Sequence, residues 1–141
     1  MKKVIILLLT VLIFAASGTV WATSTEGYKY ITAKDLNARL SNGSPMILID
    51  LRKSEQYAKG HIKGSIETDA VPVETEEQKA RLIKLLPMVK ASTEDIILIC
   101  PKGDKNAKKA YGVYKANGVD INRMLIVENG MNKWPNAIET K

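Results

Sequence analysis

The residue best placed to do chemistry in this sequence is Cys100, the only cysteine among 141 residues. It follows the apolar run 96–99 and opens the loop Pro101-Lys102-Gly103-Asp104-Lys105. Residues 106–117 have the pattern of a helix, so the cysteine stands in a turn from a buried strand to a helix. Backbone N–H groups in such a turn can converge on an anion, and such an environment favours the nucleophilic thiolate. Cys100 is therefore the candidate nucleophile.

A lone cysteine also has a plain structural interpretation, since a buried free thiol usually serves as a small apolar side chain. The position of Cys100, between an apolar strand and a Pro-Lys-Gly turn, favours the reactive interpretation. No second cysteine is available for an internal disulfide, the form in which exported proteins normally keep their cysteines. The thiol is therefore free or pairs with another molecule.

The first 22 residues have the pattern of a secretory signal peptide. Lys2 and Lys3 precede an apolar run over residues 4–16, which is followed by small and turn-forming residues up to Ala22. We expect cleavage after Ala22, which leaves residues 23–141 as a periplasmic or secreted domain without stable membrane association. The alternative is an uncleaved membrane anchor, which the short apolar run disfavours.

The charge of the chain limits the kinds of molecule that it is expected to bind. The net charge of +6 falls by two when Lys2 and Lys3 are removed, and the lysines are scattered without aromatic residues between them. Nucleic acid is therefore not an expected partner, whereas a small anion suits a modest positive surplus. The remaining length fits one domain with a proper core. We expect a monomer with no cofactor and no metal site.

Apolar strands alternate with amphipathic segments along the chain. The strands are residues 46–50, 96–99 and 124–127, and short helices are expected over residues 33–40 and 54–59. Another helix is predicted from Thr75 to about Leu86, with Leu82, Ile83, Leu85 and Leu86 on its core face and Pro87 ending or kinking it. This order predicts an α/β fold with a mostly parallel central sheet flanked by helices on both faces.

Sites in such sheets lie at the carboxyl ends of the strands. Cys100 stands at one such end and Asp50-Leu51-Arg52 at another.

Three blocks resemble one known family, in order along nearly all of the chain after the leader. The first is Asp50-Leu51-Arg52 with Glu55-Gln56-Tyr57 and Gly60-His61-Ile62-Lys63-Gly64-Ser65. The second is the loop from Cys100 with Gly103, and the third is Gly130-Met131-Asn132-Lys133-Trp134. Together they resemble a rhodanese-like domain of the sulfurtransferase family.

The resemblance implies a reaction and a set of site residues. The Cys100 thiolate would attack the outer sulfur of a small anionic donor such as thiosulfate and pass the resulting persulfide to a thiol or cyanide acceptor. The backbone N–H groups of the loop residues Lys102, Gly103, Asp104 and Lys105 would hold the persulfide and the departing anion. Asp50 and Arg52 would support the loop by pairing with each other or bonding its backbone.

The loop departs from the family pattern at several positions. Lys105 stands where the family often has arginine, so donor recognition lacks a planar two-pronged group, and Pro101 removes one N–H. Asp104 is expected to cap the following helix with its carboxylate. Asn129 replaces a glycine of the family, yet asparagine tolerates a left-handed backbone.

His61 and Trp134 are expected to be structural, and Lys108 and Lys109 to form a solvated face.

Two alternatives remain open. A cysteine phosphatase or arsenate reductase on the same architecture would require arginine six positions after the cysteine, where this chain has Asn106. A non-enzymatic module, either an inactive binding domain or a sulfur carrier dedicated to one partner, would keep the fold without general turnover.

Overall fold

The computed structural model describes residues 27–141, and their centre is a five-stranded sheet with the order β1-β5-β4-β2-β3. Every pair of neighbouring strands is parallel. The strands are β1 Lys29–Ile31, β2 Met46–Asp50, β3 Ile66–Glu67, β4 Asp95–Ile99 and β5 Met124–Val127. The predicted mostly parallel sheet is confirmed.

Helices connect the strands and cover both faces of the sheet. They are α1 Ala33–Ser41, α2 Ser54–Lys59, α3 Glu76–Ile83, α4 Leu86–Ala91 and α5 Lys105–Ala116, with short 3₁₀ turns at Ile121–Arg123 and Met131–Lys133. One face packs against α3, α4 and α5 through Leu82, Val89 and Tyr114. The opposite face packs against α1 through Leu36 and Leu40.

The apolar runs that predicted buried strands are buried on both faces of the sheet. Residues 96–99 of β4 are fully buried, and β4 lies between β2 and β5. Asp50 is paired in register with Ile99, and the N–H of Leu51 donates to the carbonyl of Ile99 at 2.8 Å. The carboxyl ends of β2 and β4 therefore lie together, which places the segments starting at Asp50 and Cys100 at one edge.

Side-chain caps begin two of the helices. The Thr32 hydroxyl accepts from the N–H of Asp35 at 3.0 Å and begins α1. Thr75 and Gln78 form a reciprocal capping box at the start of α3. Each cap satisfies N–H groups that the first turn of a helix leaves without intrahelical partners.

The segment between Thr75 and β4 differs from its prediction. The helix ends at Ile83 rather than near Leu86, and Pro87 lies in the first turn of α4 instead of ending a helix. Proline is accommodated there because first-turn N–H groups have no intrahelical acceptor. The break also turns Ile83 outward, with 42% of its surface exposed. Its assignment to the core face was therefore wrong.

No helix within residues 27–141 is long and apolar enough to cross a membrane. The predicted signal peptide and its cleavage after Ala22 lie outside the described residues.

Candidate active site

Cys100 directly follows β4, and α5 begins five residues later. The side chain is almost completely buried, with 2% of its surface exposed. The backbone N–H of Gly103 donates to Sγ at 3.0 Å, the one hydrogen bond to this sulfur found within residues 27–141. Of the predicted N–H groups over residues 102–105, therefore, only that of Gly103 reaches the sulfur. A fixed N–H donor at this distance stabilises negative charge on the sulfur.

The cysteine loop, residues 100–105, rests on the turn formed by residues 129–132. The N–H of Met131 donates to the carbonyl of Cys100, and that of Asn132 donates to the carbonyl of Pro101, both at 2.9 Å. Gly103 and Gly130 bring the two backbones into direct contact, each with a positive φ. The sequence predicted that Asn129 could adopt a left-handed backbone in this turn, and its φ is 62°. The sequence did not predict the contact between the turn and the cysteine loop.

A pocket of about 390 Å³ opens over the cysteine. It is lined by Cys100, Pro101, Lys102, Asp104, Lys105 and Asn106. The side chains of Lys102 and Lys105 are exposed, and neither forms a hydrogen bond or ion pair within the described part of the chain. The pocket therefore joins a buried sulfur to two ammonium groups that are available to an anion.

Asp104 does not cap α5 with its side chain, contrary to the prediction. It occupies the N-cap position, but its backbone angles of φ −138° and ψ −119° lie outside the extended conformation usual for a cap, and the carboxylate makes no cap hydrogen bond. The carboxylate instead lies 3.4 Å from the Lys108 ammonium and is 70% exposed. Its negative charge therefore stays at the rim of the pocket.

Lys108 and Lys109, which were expected to form a solvated face of α5, both contact other residues. The Lys108 ammonium lies 5.2 Å from the centre of the Tyr28 ring. Lys109 binds the Glu74 carboxylate at 2.7 Å and the Pro72 carbonyl at 3.2 Å. The pKa of Glu74 is held below its usual value by the hydrogen bond from Lys109 and the charge of Lys109, with a smaller electrostatic contribution from Lys105. Glu74 therefore interacts with the charge of one lysine that lines the pocket, which the sequence did not indicate.

Asp50 and Arg52 form the predicted pair at the end of the neighbouring strand. Arg52 Nη2 lies 2.7 Å from Asp50 Oδ2, and Asp50 Oδ1 also accepts the Arg52 backbone N–H at 3.0 Å. The guanidinium further donates to the carbonyl of Gly60 at 2.8 Å. Both side chains are buried. They fix the segment after β2 and make no contact with the sulfur.

His61 and Trp134 have structural surroundings, as expected. The His61 ring stacks on Tyr57 with ring centres 3.8 Å apart, and its Nδ1 lies 2.9 Å from the Tyr57 carbonyl. Because a carbonyl only accepts, this nitrogen carries the proton. Trp134 is half-buried and packs against the apolar cluster that faces α1, which includes Leu36, Leu48 and Ile97.

A sequence model of the Rhodanese-like domain family matches residues 32–137, about three quarters of the chain. The chain belongs to the rhodanese-like domain family. The match spans Asp50, the cysteine loop and Trp134, so it covers the three sequence blocks and the site they form. A comparison with curated proteins finds no match.

Solved structures of rhodanese-like domains share this fold. A rhodanese-like domain protein from Staphylococcus aureus is 25% identical with a TM-score of 0.57, over 80% of this chain and 98% of that one. A Rhodopseudomonas palustris protein of unknown function, described as a possible tyrosine phosphatase, is 19% identical with a TM-score of 0.62, over 79% and 85%. A Pseudomonas aeruginosa thiosulfate sulfurtransferase is 17% identical with a TM-score of 0.58, over 80% of this chain and 20% of that one.

Proposed function

We propose that this rhodanese-like domain is a sulfurtransferase that carries sulfane sulfur as a persulfide on Cys100. The observation that supports this most is the Gly103 N–H, 3.0 Å from a buried Sγ, at the base of a pocket that Lys102 and Lys105 also line. A fixed donor stabilises a sulfur anion without reorganisation, and one such donor contributes about 3 kcal/mol in other enzymes. The two lysines supply the positive charge that a dianionic donor requires.

The reaction has two steps. The Cys100 thiolate attacks the outer sulfur of thiosulfate, a new S–S bond forms, and the original S–S bond breaks as sulfite departs with the electron pair. The outer sulfur of the persulfide then carries the negative charge close to the N-terminus of α5, a 12-residue helix whose dipole favours an anion there. A thiol or cyanide acceptor next attacks this outer sulfur and leaves Cys100 as the thiolate.

A cysteine phosphatase is the competing chemistry. Two structurally similar proteins are described in these terms, one as a possible tyrosine phosphatase and the other as a yeast protein tyrosine phosphatase of the rhodanese family. A phosphoryl group is best held by the planar guanidinium of an arginine. The residue six positions after the cysteine is Asn106, and Lys105 before it presents a single ammonium group. The composition of the loop therefore favours sulfur transfer.

Intact mass spectrometry tests the proposal. The reduced protein is incubated with thiosulfate, desalted and weighed, and we expect the mass of one added sulfur atom. Cyanide should then restore the original mass and release thiocyanate. Cys100→Ser is the matched control, which should gain no sulfur while its circular dichroism spectrum stays unchanged.

Three results would contradict the proposal. They are a wild-type mass that does not change, sulfur uptake by Cys100→Ser, and hydrolysis of an aryl phosphate without sulfur uptake. A persulfide that forms but passes to neither cyanide nor small thiols would indicate a carrier dedicated to one protein.

We further propose that the domain acts as a monomer outside the cytoplasm after cleavage following Ala22. The pattern of the first 22 residues supports export and cleavage. N-terminal sequencing of the exported protein should return Thr23, and size-exclusion chromatography should give a monomer. A chain that begins at Met1 in the membrane fraction would contradict the cleavage.

A further inference from the structure

We propose that the turn of residues 129–132 positions the thiolate of Cys100, with Gly130 as the positioning residue. The inference rests on the proposed sulfur transfer and deepens it, because it identifies what holds the Gly103 N–H against the sulfur. Gly130 does not line the pocket, and its N–H donates to the Val127 carbonyl rather than to the sulfur, so it acts through Gly103.

Gly103 packs against the backbone of the turn without an intervening side chain. Its φ is +70°, and a Cβ added there would lie 2.7 Å from both the Asn129 and the Gly130 nitrogen atoms. Contacts below 3.0 Å of this kind are essentially never tolerated. The N–H that faces Sγ therefore belongs to a residue whose other side is fixed by the turn.

The constraint is reciprocal at Gly130. Its φ is +57°, and an added Cβ would lie 2.6 Å from the Gly103 nitrogen and closer still to the carbonyl oxygen of Cys100. Both of these atoms belong to the cysteine loop, and the first is the donor to Sγ. A single methyl group at Gly130 would push this donor out of place.

Packing on the far side of the sheet holds the turn in position. Met131 and Trp134 pack against the apolar cluster that faces α1. The Gly130 N–H donates to the Val127 carbonyl at 3.1 Å, which ties the turn to the end of β5. The N–H groups of Met131 and Asn132 then fix the carbonyls of Cys100 and Pro101. A continuous path of contacts thus runs from this apolar cluster to the sulfur.

The test compares Gly130→Ala with Gly43→Ala. Gly43 also has a positive φ, +72°, but nothing lies within 4 Å of an added Cβ. Both variants carry the cost of a left-handed alanine, and only the first changes the contact with the cysteine loop. In Gly130→Ala we expect kcat for thiosulfate:cyanide transfer to fall at least about tenfold, because the donor to the sulfur is displaced.

The KM for thiosulfate should stay within about twofold, since the lysines that attract the donor remain. A purely structural role would lower stability without this split between kcat and KM. The amide resonance of Gly103 in a ¹⁵N–¹H spectrum should move in Gly130→Ala and stay in place in Gly43→Ala.

Met131→Ala provides a milder variant if Gly130→Ala does not fold. It removes a half-buried side chain that anchors the turn, and Met88→Ala, at an exposed position on α4, is its control. We expect a smaller loss of kcat, again without a change in KM, together with a shift of the Gly103 resonance.

The inference is overturned if a folded Gly130→Ala keeps the wild-type kcat, or if Gly43→Ala loses as much. Wild-type protein that takes up no sulfur contradicts the proposed function instead, and the Gly103 resonance still tests the turn.

Discussion

Two nitrogen atoms of the Arg52 guanidinium bind the two carboxylate oxygens of Asp50, with Nη2 2.7 Å from Oδ2 and Nε 3.0 Å from Oδ1. Asp50 is fully buried and Arg52 is 7% exposed. A buried ion pair of this kind does not necessarily stabilise a fold more than apolar residues would. Removing one partner is costly, however, because the other charge is left in the interior.

Arg52→Met should therefore destabilise the domain strongly. The variant leaves the Asp50 carboxylate buried without its cation and also removes the donor to the Gly60 carbonyl. We expect a loss of about 3–5 kcal/mol in the free energy of unfolding, measured by urea denaturation.

Arg39→Met is the matched control. Arg39 also forms an ion pair at 2.8 Å, with Asp95, but both side chains are more than one third exposed. We expect this control to lose less than about 1 kcal/mol. Equal losses in the two variants would show that burial does not decide the effect.

The sequence predicted the features of the site that depend on local patterns. The apolar runs identified β2, β4 and β5, and the strand-to-helix turn placed Cys100 at the carboxyl edge of the sheet. The resemblance to the family motif also implied the Asp50–Arg52 pair that is present. Each of these features follows from residues close together in the chain, or from the general geometry of parallel sheets.

The features that the sequence did not predict arise from contacts between distant segments. Whether Asp104 caps α5 is decided by the conformation of the cysteine loop, and the turn at residues 129–132 helps to fix that conformation. Pro87 lies in the first turn of α4 rather than ending a helix, because α3 already stops at Ile83. A residue type limits such outcomes, but packing selects among them.

Lys105→Ala should mainly weaken donor binding. Lys105 lines the pocket and makes no hydrogen bond or ion pair within residues 27–141, while the Gly103 N–H that contacts the sulfur remains. We expect the KM for thiosulfate to rise several-fold with little change in kcat, and a tenfold rise would equal about 1.4 kcal/mol. Added salt should reduce the difference from wild type, because an exposed charge is screened.

Lys115→Ala is the control for that variant, since it removes an exposed lysine from the last turn of the same helix. An unchanged KM in Lys105→Ala at low salt would contradict its role and direct attention to Lys102, the other lysine of the pocket.

Asp104→Asn should improve donor affinity without a loss of stability. The carboxylate makes no cap hydrogen bond to α5. Its ion pair with Lys108, at 3.4 Å, involves a carboxylate that is 70% exposed and therefore contributes little stability. The change also removes a negative charge from the rim of the pocket, and we expect a lower KM for thiosulfate with an unchanged melting temperature. A clear fall in melting temperature would mean that the carboxylate supports the helix after all.

Glu74→Gln should change donor affinity in the opposite direction from Lys105→Ala. The Glu74 carboxylate binds Lys109 and interacts with the charge of Lys105, so it offsets positive charge near the pocket. Its removal should lower the KM for thiosulfate at neutral pH and low salt. Glu76→Gln is the matched control, because Glu76 is an exposed acid two residues away whose partner is Lys79, at 3.0 Å.

The sign of the pH dependence follows from the lowered pKa of Glu74. A carboxyl group with a lowered pKa in the folded state contributes stability above its unfolded pKa and loses it as the pH falls through the folded pKa. If wild type is more stable than Glu74→Gln, this difference in stability should therefore be present near pH 7 and disappear below about pH 4. Thermal unfolding of both proteins between these pH values measures the difference. A difference that grows towards acid pH would contradict the assignment of the Lys109 contact as its source.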